Sequence, residues 1–76
     1  AMKDYIERRK SVHQKAREMM ARGNLQGALK ILENYLIDNA DDADAWYVVG
    51  EVLSKMGRQE EGFRAIARAR DLSKKA

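Results

Sequence analysis

The chain has 76 residues, no Cys, no Pro, 15 Lys or Arg against 12 Asp or Glu, and a net charge of +3. This length suits one small domain, and the missing Cys excludes disulfides, thiolate metal sites and a thiol nucleophile. No apolar run approaches the ~20 residues of a membrane span and no signal-peptide pattern is visible; membrane insertion is not expected, and a cytoplasmic location is.

The composition favours helices, with abundant Ala, Leu, Lys, Arg, Glu and Met. No segment alternates with period two, so strands are not expected. Asp4, with Glu7 three residues on, opens the first helix as a capping-box-like pair. Val12, Ala16, Met19 and Met20 follow at helical spacing, and the run breaks at Arg22-Gly23. Asn24 caps the second helix. There Leu25, Ala28, Leu29, Leu32, Tyr35 and Leu36 form one broad apolar stripe. It fades into DNADDADA, where Asp41 or Asp42 caps the third helix. Trp46, Val49, Val52, Leu53 and Met56 make the third stripe, which ends at Gly57. The fourth helix starts near Gln59, with Glu60 and Glu61 in its first turn and Lys74 and Lys75 at its end, both of the sign the helix dipole favours. Phe63, Ile66, Ala69 and Leu72 are its expected core face. Short turns at Gly23 and Gly57 predict antiparallel helix pairs.

Charge is also ordered along the chain. Residues 1–24 carry seven Lys or Arg against three Asp or Glu, residues 25–57 two against six, and residues 58–76 six against three. This pattern reads as solvated helix faces of differing sign, or as steering between helices or toward an acidic partner.

Gly23 and Gly57 stand 34 residues apart, and a shift by that distance aligns other positions in kind. Val12 meets Trp46, Ala16 meets Gly50, Met19 meets Leu53, Ala28 meets Gly62, Leu29 meets Phe63 and Leu32 meets Ile66. Trp46, Val49-Gly50, Leu53, Gly62 and Ile66 follow the spacing Trp, two residues, Leu-Gly, two residues, Tyr, then a small residue, three residues, Phe. The chain thereby resembles the tetratricopeptide repeat, whose period is ~34 residues. The resemblance spans about residues 9–76 and divides the chain into an N-terminal extension and helix start (1–8), a first repeat (9–42) and a second (43–76). Two positions depart from the family pattern: Tyr35 replaces a small residue and Lys74 a Pro. The implied fold is all-α: two antiparallel helix-turn-helix repeats stacked as a short α-solenoid, with Trp46, Leu32, Phe63 and Ile66 in a shared core. Gly50 and Gly62, like Ala16 and Ala28, are expected where paired helices cross closely.

Residues able to carry chemistry are sparse. His13 is the only His, so it has no second His or Cys with which to build a zinc site. Asp41, Asp42 and Asp44 lack the Gly and terminal Glu of a calcium loop and read as capping residues. Ser11, Ser54 and Ser73 lie in no nucleophile motif, and no Gly-Lys-Ser/Thr follows the glycines. No catalytic residue, metal or cofactor is expected. The resemblance implies instead a protein-binding scaffold, a fragment or accessory module of a larger protein or assembly. The family's first helices line a concave face that receives a peptide or partner helix. Carried onto this chain, that face offers Lys10, His13, Arg17 and Met20 from the first helix and Asp44, Tyr47, Glu51 and Ser54 from the third. Glu51 would repel a C-terminal carboxylate, so capture of such a tail is not expected. The plainer reading of these positions is a solvated face in which Arg17 pairs with Glu51. Two repeats are fewer than the three a stable array usually needs. Self-association, or docking onto a longer parent through Ile31, Ile37, Val48 or Met20, is therefore expected. The alternative function is RNA or DNA binding through Arg8, Arg9, Lys10, Lys15 and Arg17 on the first helix and Arg64, Arg68 and Arg70 on the last. Few aromatic residues accompany those cations, and single-strand binders pair a basic groove with stacking rings.

Overall fold

Where the sequence places its breaks, the backbone turns left-handed. Gly23 has φ 84° and Gly57 φ 85°, a region that an L side chain enters only with strain. The computed structural model describes the backbone of residues 2–75 and the side chains of residues 12–74. It contains four helices: α1 (Met2–Ala21), α2 (Leu25–Asp38), α3 (Ala43–Lys55) and α4 (Gln59–Lys75). No strand occurs among the described residues. α1 begins ahead of Asp4, so Asp4 and Glu7 lie within the helix, and their side chains are outside the described ones.

The two glycine turns close their helices in the same way. The Asn24 N–H donates to the Met19 carbonyl at 2.8 Å and the Gly23 N–H to Met20 at 3.0 Å. The Arg58 N–H donates to Leu53 at 2.9 Å and the Gly57 N–H to Ser54 at 3.1 Å. This is the nested pair of bonds that satisfies the last carbonyls of a helix before a left-handed glycine. Asn24 caps α2, its Oδ1 accepting from the Gly27 N–H at 3.1 Å. Of the two Asp residues expected at the third helix, Asp42 is the cap, its Oδ1 accepting from the Ala45 N–H at 3.3 Å. Arg58 precedes α4 and offers no side-chain acceptor there, whereas Glu60 and Glu61 place negative charge at its positive end.

α3 is the centre of the packing. It packs most extensively against α4, also against α2, and lightly against α1; α1 packs on α2, and α4 touches neither α1 nor α2. Ala16, Ala28, Leu29, Leu32, Leu36, Ala45, Val48, Val49, Val52, Leu53 and Ala65 form one buried cluster. The radius of gyration is 12.1 Å, close to the ~11 Å of a compact chain this long.

Several expected core positions are corrected. Leu32 is fully buried, Trp46 packs half-buried at the edge of the cluster, and Ile66 is half-buried, but Phe63 is 64% exposed. Gly50 and Gly62 explain the shift. A Cβ on Gly50 would stand 2.5 Å from Ile66 Cγ1 and 3.1 Å from the Gly62 carbonyl oxygen. With Gly62 at the crossing, the face of α4 toward α3 runs through Gly62, Ala65, Ile66 and Ala69, at helical spacing. Phe63, about 100° further round, points away from it. Val48 is also corrected: it is 1% exposed and covers no neighbour. Ile31 and Met20 lie half-buried against the core, and only Ile37, 77% exposed, is open among the four residues expected to meet a partner.

Candidate functional site

The α1–α3 surface gathers five of the eight candidate residues. His13 and Arg17 from α1 and Asp44, Tyr47 and Glu51 from α3 line one groove of about 490 Å³, with buried Val48 among them. α1 and α3 touch only lightly, and the space left between them is the groove. The spacing of four between His13 and Arg17, and between Tyr47 and Glu51, sets each pair on one helix face.

Its two walls are chemically distinct. At one end Arg17 Nη1 lies 3.6 Å from Glu51 Oε1, with both side chains about half exposed. At the other, His13 turns its ring edge toward Tyr35, centroids 5.7 Å apart. His13 Nε2 lies 3.2 Å from Asp42 Oδ2. Nε2 has no hydrogen-bond partner among the described residues. Asp42 itself is only 5% exposed. Its Oδ2 accepts from the Tyr35 hydroxyl at 2.7 Å while its Oδ1 caps α3. One buried carboxylate thus ties α2 to the start of α3, with His13 of α1 beside it. His13 lies beside it at the groove's edge, and Tyr35 supplies the hydroxyl. Asp41 and Asp44 are exposed, so the three Asp residues do not converge, and no described cluster of His, Asp and Glu could hold a metal ion.

The remaining candidates lie elsewhere. Met20 packs half-buried against the core. Ser54 faces α4, where its Oγ would stand 2.8 Å from a Cβ on Gly62. The Lys10 side chain lies outside the described ones.

A second, larger groove of about 600 Å³ separates α2 from α4. Leu29, Leu36, Trp46, Val49, Leu53 and Ala65 give it apolar surface. The Trp46 Nε1–H donates to the Ala40 carbonyl at 2.8 Å, which holds the indole at its edge. Arg58 and Glu61 stand on its rim, paired through both carboxylate oxygens. The Arg58 hydrogen bonds hold the Glu61 carboxyl below its ordinary range, and those bonds raise Arg58. Sequence reading missed this groove. Its only signal was the width of the third stripe, from Trp46 round to Val52, which is more than one neighbouring helix can cover.

Comparison with protein-family models, with curated proteins and with solved structures finds no match. The site is therefore read from its own residues. Among the described residues no helix is long and apolar enough to cross a membrane.

Proposed function

We propose that this chain is a non-catalytic protein-interaction module whose α1–α3 groove binds a polypeptide, either an extended peptide or a partner's helix. The observation that carries the reading is the groove, which sets His13 and Arg17 opposite Asp44, Tyr47 and Glu51 over a buried Val48. Mixed-sign groups beside an amphipathic ring suit a peptide, which offers backbone donors and acceptors together with side chains of both charges.

The proposed architecture is two antiparallel hairpins stacked as tetratricopeptide-like repeats, residues 9–42 and 43–76, with the groove on the concave side. Three observations support this architecture. The same glycine turn, with the same nested hydrogen bonds, recurs 34 residues apart. Three-residue turns at residues 22–24 and 56–58 join helices that pack on each other. Fully buried Ala16 and Ala28 occupy the positions of Gly50 and Gly62, so both pairs have small residues at the crossing.

Three of the described cations bear on the choice between a polypeptide and nucleic acid. Arg17, Arg58 and Arg64 each lie beside a carboxylate, from Glu51, Glu61 and Glu60. Such pairing reduces the positive field that phosphates need. The test is selection from a random peptide display library, then mapping of the best binder by amide chemical shifts. Shifts at His13, Arg17, Asp44, Tyr47 and Glu51, a modest salt dependence, and loss of binding in an Arg17→Ala/Tyr47→Ala double variant are expected. Shifts confined to other faces, or a double variant that binds like the parent, would overturn the assignment. So would a protein that ignores every peptide but binds oligonucleotides with affinity falling steeply as salt rises.

A further inference from the structure

The two ends of the helix array are unlike. Shifting by 34 residues compares each outer helix with an inner one. On α3, Val48, Val49 and Val52 are buried in the cluster shared with α2. Their counterparts on α1 are Gln14, Lys15 and Glu18, all exposed. Among the described residues, that end presents polar side chains at these positions. On α2, Leu29 is 8% exposed and Leu32 fully buried. Their counterparts on α4 are Phe63, 64% exposed, and Ile66, half-buried. That end leaves Phe63 open within a charged surface. Head-to-tail stacking of copies would set Phe63 against Gln14, Lys15 and Glu18, which bury poorly. A contact of the α4 end with itself instead brings Phe63 of each copy to apolar surface of the other.

The exposed side of α4 also suits such a contact. Glu60, Phe63, Ala67, Arg70 and Lys74 recur at alternating spacings of three and four and are all exposed, the seam of a paired helix. Its N-terminal end is acidic and its C-terminal end basic. An antiparallel copy therefore sets acid against base at both ends, and a parallel copy sets like against like.

We propose that α4 pairs antiparallel with α4 of a second copy of this chain, about a two-fold axis at Ala67. Glu60 of each copy then faces Lys74 of the other, and each Phe63 packs against the partner's Arg70 stem and Ala67. The interface is isologous, so it closes at two copies. It is one helix wide, below the ~1,200 Å² of a standard interface, and so forms a weak, concentration-dependent dimer. The α1–α3 groove plays no part in it; this dimer stands or falls independently of what that groove binds.

The test is sedimentation velocity on the whole chain from about 5 to about 500 µM, the range in which weak dimers dissociate. The weight-average mass should rise from 8.7 kDa toward twice that value. Phe63→Asp should stay monomeric throughout with an unchanged helical circular dichroism spectrum, because Phe63 is not in the core. Glu60→Lys and Lys74→Glu should each weaken the dimer at least several-fold, and the double exchange should restore it. A parent that stays monomeric at the highest concentration overturns the proposal. Association that survives Phe63→Asp assigns the contact to another surface, and failure of the double exchange overturns the antiparallel register.

Discussion

Gly50 and Gly62 face each other so closely that a Cβ built on either would come 3.1 Å from the other's carbonyl oxygen. Each gives up roughly 1 kcal/mol of helix propensity relative to Ala. The close approach it permits seats α4, which packs on α3 alone. Gly50→Ala regains that propensity but drives its methyl to 2.5 Å from Ile66 Cγ1. Overpacking of this kind typically costs ~1–3 kcal/mol, and here the backbone oxygen opposite cannot swing aside. The net expectation is a loss of about 1–2 kcal/mol, read as a lower urea midpoint at unchanged slope. A raised midpoint would show that the two helices do not meet closely there.

Asp42 carries a larger share than its size suggests. Asp42→Ala removes the α3 cap, worth about 0.5–2 kcal/mol, and takes the acceptor from the Tyr35 hydroxyl. The combined loss should be about 2–3 kcal/mol. Asp42→Asn, which keeps an acceptor oxygen for Ala45, should lose less, and Tyr35→Phe about 0.5–1.5 kcal/mol. Thermal unfolding checks the order: Asp42→Ala should melt lowest. Equal melting temperatures for the three variants would mean that the Asp42 cap of α3 adds no stability beyond the Tyr35 bond.

Both glycine breaks, both asparagine and aspartate caps and the second and third stripes were legible in the sequence because each is local. A left-handed turn needs Gly, a helix start needs an acceptor, and three or four leucines at helical spacing outweigh everything near them. Phe63 was misplaced because periodicity weights large apolar residues, whereas α4 meets α3 through Gly62, Ala65 and Ala69. Ser54 left the expected groove for the same reason: Gly62 draws it to the α3–α4 contact. Val48 was read as spare because a single stripe was assigned to α3, a helix that packs on both α2 and α4. Of the groove residues, His13, Arg17, Tyr47 and Glu51 came from the repeat register alone, while the bond from Tyr35 to Asp42, with His13 beside it, has no signature in spacing. The α2–α4 groove is a gap between helices that do not touch, and sequence periodicity describes contacts rather than gaps.

Glu61 gives the surface a defined acid response. Its carboxyl is held below the ordinary value of 4.5, first by the Arg58 hydrogen bonds and also by the charges of Arg58 and Arg64. A carboxyl whose folded pKa is depressed contributes stability that is present above the unfolded value. That contribution is lost as pH falls through the folded value. The pair is open to solvent, so its effect on the melting curve should be slight and further screened by salt. The direct measurement is a carbon-detected titration of Glu61. Its midpoint should lie below the ordinary carboxyl value in the parent and rise in Arg58→Ala. A midpoint that ignores the Arg58 substitution would show that the pair does not persist in solution.

Substitutions at Arg17 and Glu51 separate the binding role proposed for the groove from a structural one. Their ends are 3.6 Å apart, but the side chains are 57% and 45% exposed. An exposed pair of this kind contributes about 0–1 kcal/mol, because water already solvates both ends and ordering two long side chains opposes the attraction. Arg17→Ala, Glu51→Ala and the double variant should each unfold within about 1 kcal/mol of the parent. Tyr47, 38% exposed, has less to lose than a buried ring, so Tyr47→Ala should fall well short of the ~3–5 kcal/mol of a core aromatic truncation. Against that near-silence in stability, each substitution removes a group that a groove-bound peptide would touch. Peptide affinity should therefore fall about ten-fold or more in Tyr47→Ala, the loss expected at an aromatic anchor. Arg17→Ala and Glu51→Ala should shift preference in opposite directions between acidic and basic peptides. Isothermal titration of one acidic and one basic display-selected peptide against all four variants makes the comparison. Variants that destabilise strongly while leaving both peptides bound would recast these residues as framework, and the groove between α1 and α3 as an ordinary solvated crease.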